Sequence, residues 1–126
     1  MAYEIKLIKD KRIIEIENKN EITNEDMITQ TKEVIILQHE KHIFSILADF
    51  ASVRVNTNIS DVFQFPELYE QMGMDHKSKI AVFVSDIEIK TEELQFYETI
   101  CLNRGWNIKI FLDRKDAIKW LLDSQR

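Results

Sequence analysis

Apolar and polar residues alternate from Tyr3 to Ile8, with Tyr3, Ile5 and Leu7 on one side and Glu4 and Lys6 on the other. Arg12 to Asn18 repeat the pattern, with Ile14 and Ile16 opposite Glu15 and Glu17. A period of two is that of a half-buried strand. Lys9, Asp10 and Lys11 leave room only for a tight turn, so the two runs predict a hairpin. The period then changes. Met27, Ile28, Thr31, Val34, Ile35 and Gln38 recur at helical spacing, and Thr23 with Asp26 frames the start, which predicts a helix from Asn24 to Glu40. His42 to Phe50 is apolar on both faces and reads as a central strand. Ala51 to Ser60 has no period and reads as the longest irregular stretch.

Ser60 to Gly73 is helical in pattern. Pro66 suits a first turn and not a helix interior, so two pieces are predicted, the firmer from Pro66 to Met72. Lys79 to Ser85 predicts a second strand buried on both faces. Thr91 to Arg104 predicts a helix with Leu94, Tyr97, Ile100 and Cys101 inward, stopped at Gly105. Asn107 to Leu112 alternates around Ile108 and Ile110. Asp113 caps a closing helix with Asp116 in the acid position three residues on. Ala117, Ile118, Leu121 and Leu122 form that helix's apolar stripe, and Trp120 packs beside it on the sheet.

This order predicts an α/β fold: a five-stranded mixed sheet with an antiparallel N-terminal strand, then β-α repeats, and four helices. The chain of 126 residues is long enough for one cored domain and too short for two. The alternation in the hairpin and in the last strand predicts one sheet face well covered and the other partly open.

Charge and composition narrow the function classes. Net charge is −5 and the basic residues are scattered along the sequence, which argues against nucleic acid and against an anionic membrane surface. The longest purely apolar run, Ile80 to Val84, is far short of a membrane span. One cysteine, Cys101, cannot form an internal disulfide, which fits a reducing cytoplasm. Two glycines exclude a dinucleotide fingerprint and a phosphate-cradling P-loop. His39-Glu40-Lys41-His42 is one residue short of the i,i+4 histidine pair of a zinc-protease helix, so no metal site is assigned. Asp49, Asp86 and Asp113 fall at the predicted carboxyl ends of three parallel strands. They read as turn residues and a helix cap in preference to a magnesium cluster. No nucleophile, base and orienting group can be assembled, so no catalytic residue and no cofactor are assigned.

The closing half carries a family likeness. The strand Ile80-Ala81-Val82-Phe83-Val84, then Arg104-Gly105, the strand Ile108-Lys109-Ile110-Phe111, the turn from Asp113 to Ala117 and the pair Trp120-Leu121 resemble the SpoIIAA-like (STAS-like) family. The resemblance implies a STAS-like fold, similar also to the lipid-binding CRAL/TRIO fold, and a non-enzymatic regulatory or protein-interaction module. Anti-sigma-factor antagonists of the wider family are phosphorylated on a serine just after the third strand, within an Asp-Ser-Ser-Gly-like turn. Asp49-Phe50-Ala51-Ser52 stands there in this chain. It lacks the paired hydroxyls and the glycine, which argues against phosphorylation-controlled partner switching and leaves Ser52 as the candidate acceptor.

The stretch from residue 50 to 74 is the expected binding surface. Phe50, Phe63, Phe65 and Met72 supply apolar wall, and Ser52, Arg54 and Ser60 supply polar groups. That mixture suits a protein partner's hydrophobic side chain or, alternatively, a small apolar or lipid-like ligand. Ile36, Leu37, Ile13 and Phe111 exceed what one core face needs, which predicts a homodimer.

Overall fold

The computed structural model describes the backbone of residues 3–56, 59–84 and 91–123, and their side chains other than those of 53–63 and 91–94. The hairpin forms as β1 (Tyr3–Ile8) and β2 (Ile13–Thr23), joined by one 3-10 turn at Lys9–Lys11. Helix α1 (Asn24–Lys41) follows, then β3 (Ser45–Asn56), α2 (Ile59–Gln71) and β4 (Lys79–Phe83). Helix α3 (Thr91–Asn103), β5 (Asn107–Phe111) and α4 (Arg114–Asp123) complete the order. The sheet runs β1-β2-β3-β4-β5 in space as in sequence, with β1 antiparallel and the other pairs parallel.

That monotone order decides where the helices go. Right-handed crossovers in a sheet that never reverses its order all fall on one side. Helices α1, α2 and α3 accordingly bury Val34, Ile35, Phe65, Tyr69, Tyr97 and Cys101 against one face. Among the described residues only α4 covers the other, where Ala117 and Leu121 meet Ile13, Leu47 and Ala81. Beyond α4 that face is a charge ladder: Lys6 pairs with Glu17 at 3.1 Å, and Lys19 with Glu17 at 3.2 Å. The expected half-open sheet is therefore observed.

Local signals explain most boundaries. The Thr23 hydroxyl accepts from the Asp26 amide, and the Asp26 carboxylate accepts from the Thr23 amide, a reciprocal cap at the start of α1. Asp113 caps α4 by accepting from the Lys115 amide at 2.7 Å. Gly105, at φ 86°, turns the chain out of α3.

Three expectations are corrected. The stretch from Ala51 is not a loop: β3 continues to Asn56 and pairs with β2 as far as Thr23. The register passes from Glu17↔Asp49 to Lys19↔Ser52, so β3 holds one residue more than β2 there. A bulge shifts which residues face the core and erases the period-two signal on which a strand is read. Helix α2 is likewise one helix, not two pieces, with Pro66 inside it. Proline forgoes one helical hydrogen bond. Here the ring is fully buried, and its carbonyl accepts from the Trp106 indole at 3.1 Å. Packing overrides the local preference. The central strand also begins later than expected, at Ser45, because His42 closes α1 in a left-handed conformation.

Candidate functional site

The carboxyl end of the sheet is built around the bulge. Asn18 is 1% exposed and projects toward α1. It donates to the Asp49 carbonyl at 3.1 Å and accepts from buried Gln30 at 2.8 Å. The irregular backbone of β3 is thereby tied to a helix. Asp49 turns its carboxylate back to accept from the Ala51 amide at 2.9 Å. Burial raises its pKa, the Ala51 amide opposes that, and Glu15 and Glu17 add to it. Glu15 is itself buried and held by Arg114 at 2.9 Å. Past Phe83, where β4 ends, β2 and β3 run on as a two-stranded arm. Ser52 lies exposed on it, in strand and not in a turn.

The other expected surface residues separate. Phe65 is 6% exposed and belongs to the main core; Phe50 and Met72 are partly buried against the same core. The side chains of Arg54, Ser60 and Phe63 lie outside those described, as does Asp86 altogether. Of the seven residues singled out, Ser52 is thus the described one with its polar group in solvent. A crevice at the carboxyl edge of an α/β sheet opens where strand order reverses. This sheet has no reversal.

Among the described residues no group of three histidine, cysteine, aspartate or glutamate side chains is gathered to hold a metal ion. His39 lies in the last turn of α1, and Asp113 is engaged as a helix cap. Between α2 and α3, the Tyr69 and Tyr97 hydroxyls meet at 2.6 Å, with Cys101 in contact with Tyr97. Burial pushes both hydroxyls upward and carries the Cys101 thiol from 9.0 to about 12, aided by Glu98 and opposed by the Tyr97 hydrogen bond. Such a thiol is inert as a nucleophile near neutrality. It also predicts an alkaline limit. The fold favours the protonated thiol, so at alkaline pH the unfolded chain binds fewer protons. Stability should be intact below pH 9.0 and fall as pH rises toward about 12. Denaturant midpoints across that range check this; midpoints that stay level would show that the thiol is not sealed.

Sequence reasoning missed two sites of packing and charge. The fully buried large aromatic is Trp106, not Trp120. Trp120 is partly buried, tilted against Phe111 at 5.6 Å, with the Lys79 ammonium 4.1 Å over its ring. At the amino ends of the strands, a cleft of about 350 Å³ is lined by Arg12, His42, Ile43, Phe44, Ser45, Lys77, Lys79 and Asn107. These residues come from four separate segments, so no local run of basic residues announces them.

No family model matches the sequence, and no curated protein sequence matches it. Solved structures do. The anti-sigma factor antagonist SpoIIAA in its unphosphorylated form superposes with a TM-score of 0.55 at 11% identity, over 95% of this chain and 97% of that one. The Bacillus cell fate determinant SpoIIAA in its phosphorylated form gives 0.52 at 10%, over 95% and 99%. An uncharacterised DUF3478-family protein with a SpoIIAA-like fold from Shewanella loihica gives 0.59 at 17%, over 95% and 92%. The chain has a SpoIIAA-like fold. The STAS-like architecture implied by Ile80–Val84, Arg104-Gly105 and Trp120-Leu121 is therefore present over nearly the whole chain. Asp49-Phe50-Ala51-Ser52, where the turn of the antagonists was sought, is bulged strand instead.

Proposed function

We propose that the protein is a non-enzymatic regulatory module that works by binding a protein partner at the carboxyl end of β2 and β3. The observation that carries this reading is the arm itself: a strand pair prolonged past β4, pinned by Asn18 and Gln30, with Ser52 exposed on it. The SpoIIAA-like fold supports it, since one protein of that fold is an anti-sigma factor antagonist. Phe50, Ser52, Arg54, Ser60, Phe63, Phe65 and Met72 remain the residues assigned to the surface, with Phe65 acting from beneath as support. Ser52 is the candidate acceptor if the contact is switched by phosphorylation. No described feature favours the alternative of a small apolar ligand, because Phe50, Phe65 and Met72 pack into the main core.

A reducing cytoplasm belongs to the same reading, supported by the single buried cysteine. No helix among the described residues is long and apolar enough to cross a membrane. A homodimer belongs to it as well, supported by Ile36, 58% exposed on α1. Ile13 no longer contributes, being sealed under α4. A monomer in sedimentation at high micromolar concentration would remove the dimer alone.

The decisive experiment places a photo-crosslinking residue at Ser52 and, as control, at exposed Lys115 on α4, in cells. The reading expects one protein captured from position 52 and not from 115. Capture equal at both positions, or none at 52, overturns the assigned surface. Turnover of a substrate abolished by Asp49→Asn overturns the non-enzymatic assignment.

A further inference from the structure

The cleft at the amino ends of the strands lies at the opposite edge of the sheet from the proposed partner surface. Its charge is against the trend of the chain. The protein has 22 acidic and 17 basic residues. Among the eight described residues lining the cleft there are three cations, Arg12, Lys77 and Lys79, a histidine, and no carboxylate. We propose that this cleft binds a small phosphorylated molecule, with Arg12, Lys77 and Lys79 as its anchors.

The backbone supplies an independent observation. Among the described residues three that are not glycine adopt left-handed backbone conformations: Arg12 at φ 54°, Asn20 at φ 62° and His42 at φ 55°. Two of the three line this one cleft. Arg12 closes the turn between β1 and β2, and His42 closes α1. Glycine fills such positions at least cost, and strained residues gather where a side chain is needed. Here the strained pair is also joined, the Arg12 guanidinium donating to the His42 carbonyl. The guanidinium is thus fixed at the cleft wall.

The described partners of the two lysines are ones a ligand can exchange or keep. Lys77 pairs with Asp75 at 3.7 Å, the side chains 63% and 41% exposed, and its ammonium lies 4.3 Å over the Phe44 ring. An exposed pair of that kind is weak. Lys79 donates to the Trp120 carbonyl at 2.7 Å, which spends one of its three protons. Burial lowers its pKa, Asp123 opposes that, and the neighbouring Lys109 adds to it. An anion in the cleft would relieve that crowding. A planar fork beside two point charges suits a group with several oxygens, which is the chemistry of phosphoryl recognition. The volume exceeds that of a bare oxyanion and lies in the range of small-molecule sites. Ile43 and Phe44 offer an apolar wall for the organic remainder.

The test is amide chemical-shift mapping of the full chain titrated with pyrophosphate. Citrate serves as a carboxylate polyanion and sodium chloride as the control at matched ionic strength. Pyrophosphate should produce saturable shifts at the amides of residues 42–45, 77–79 and 107, more tightly than citrate, and sodium chloride should not. Lys77→Gln should weaken binding about tenfold while the rest of the spectrum stays native. Arg12→Gln should do the same, and Lys115→Gln, away from the cleft, should leave binding unchanged. Shifts that do not saturate or that scatter over surface lysines mean an adventitious ion only and overturn the proposal. Equal binding of citrate overturns the phosphoryl assignment. An unchanged affinity in Lys77→Gln overturns the assigned anchors, whether or not Arg12→Gln folds.

Discussion

Trp106→Ala should lower stability by about 3–5 kcal/mol, the range for removing a large buried aromatic. Trp106 is 1% exposed and makes three contacts with α2 and the segment that follows it. Its indole donates to the Pro66 carbonyl in α2, its ring lies edge-on to Tyr69 at 5.8 Å, and His76 stacks on it at 3.9 Å. Truncation opens a cavity and removes a buried hydrogen bond between Trp106 and α2, so two costs add. A domain of this size has only about 5–15 kcal/mol in total, and the midpoint of thermal unfolding should drop by about 10 °C or more. Trp106→Phe separates the two costs. It keeps a ring against Tyr69 and His76 and removes the indole donor, so a loss of about 1–3 kcal/mol is expected. Denaturant unfolding of both variants measures this. A loss below about 1 kcal/mol for alanine would mean that the junction of α2 with β5 does not depend on the indole.

Why that residue was missed says how far the sequence could be read. Trp106 extends the alternation of Ile108 and Ile110 back by one step, but it directly follows Gly105 and lies one residue before β5, so the run read from Asn107 leaves it out. Its burial comes from α2, some forty residues earlier, and only the tertiary fold brings Pro66 to it. Trp120 sits beside a clear helical stripe and was the natural choice, yet α4 is the lone helix on its face among the described residues and the ring is only partly buried. The elements themselves were legible, because Tyr3 to Ile8, Ile14 to Glu17 and Val34 to Gln38 carry undisturbed periods. So was the mixed sheet, since β-α repeats after a hairpin admit few topologies. Legibility stopped at the bulge, where one extra residue in β3 breaks the alternation just where the binding surface was sought. It stopped also at the cationic cleft, because Arg12, Lys77 and Lys79 converge from distant segments.

Asn18→Ala should cost about 2–4 kcal/mol and should act first on the arm that carries Ser52. The side chain amide answers two groups together: it donates to the part-buried Asp49 carbonyl and accepts from buried Gln30. Alanine leaves the part-buried carbonyl and the buried Gln30 amide without this partner, and a buried orphan costs more than a hydrogen bond is worth when made. The bulge is tied to α1 by Asn18 through Gln30. Its loosening should therefore appear as faster hydrogen exchange at the amides of residues 19–23 and 52–56, ahead of exchange in β4 and β5. Removing both partners tests the cause. In Asn18→Leu with Gln30→Leu no donor is stranded on the helix, and the pair should be less destabilised than the sum of the single changes. Additive losses, with exchange in the arm no faster than elsewhere, would mean that the β2–β3 backbone alone holds the bulge. If the arm is the partner surface, the same substitution should also weaken capture from position 52 at temperatures where the fold stays intact. That couples a buried amide on one face of the sheet to recognition at its edge.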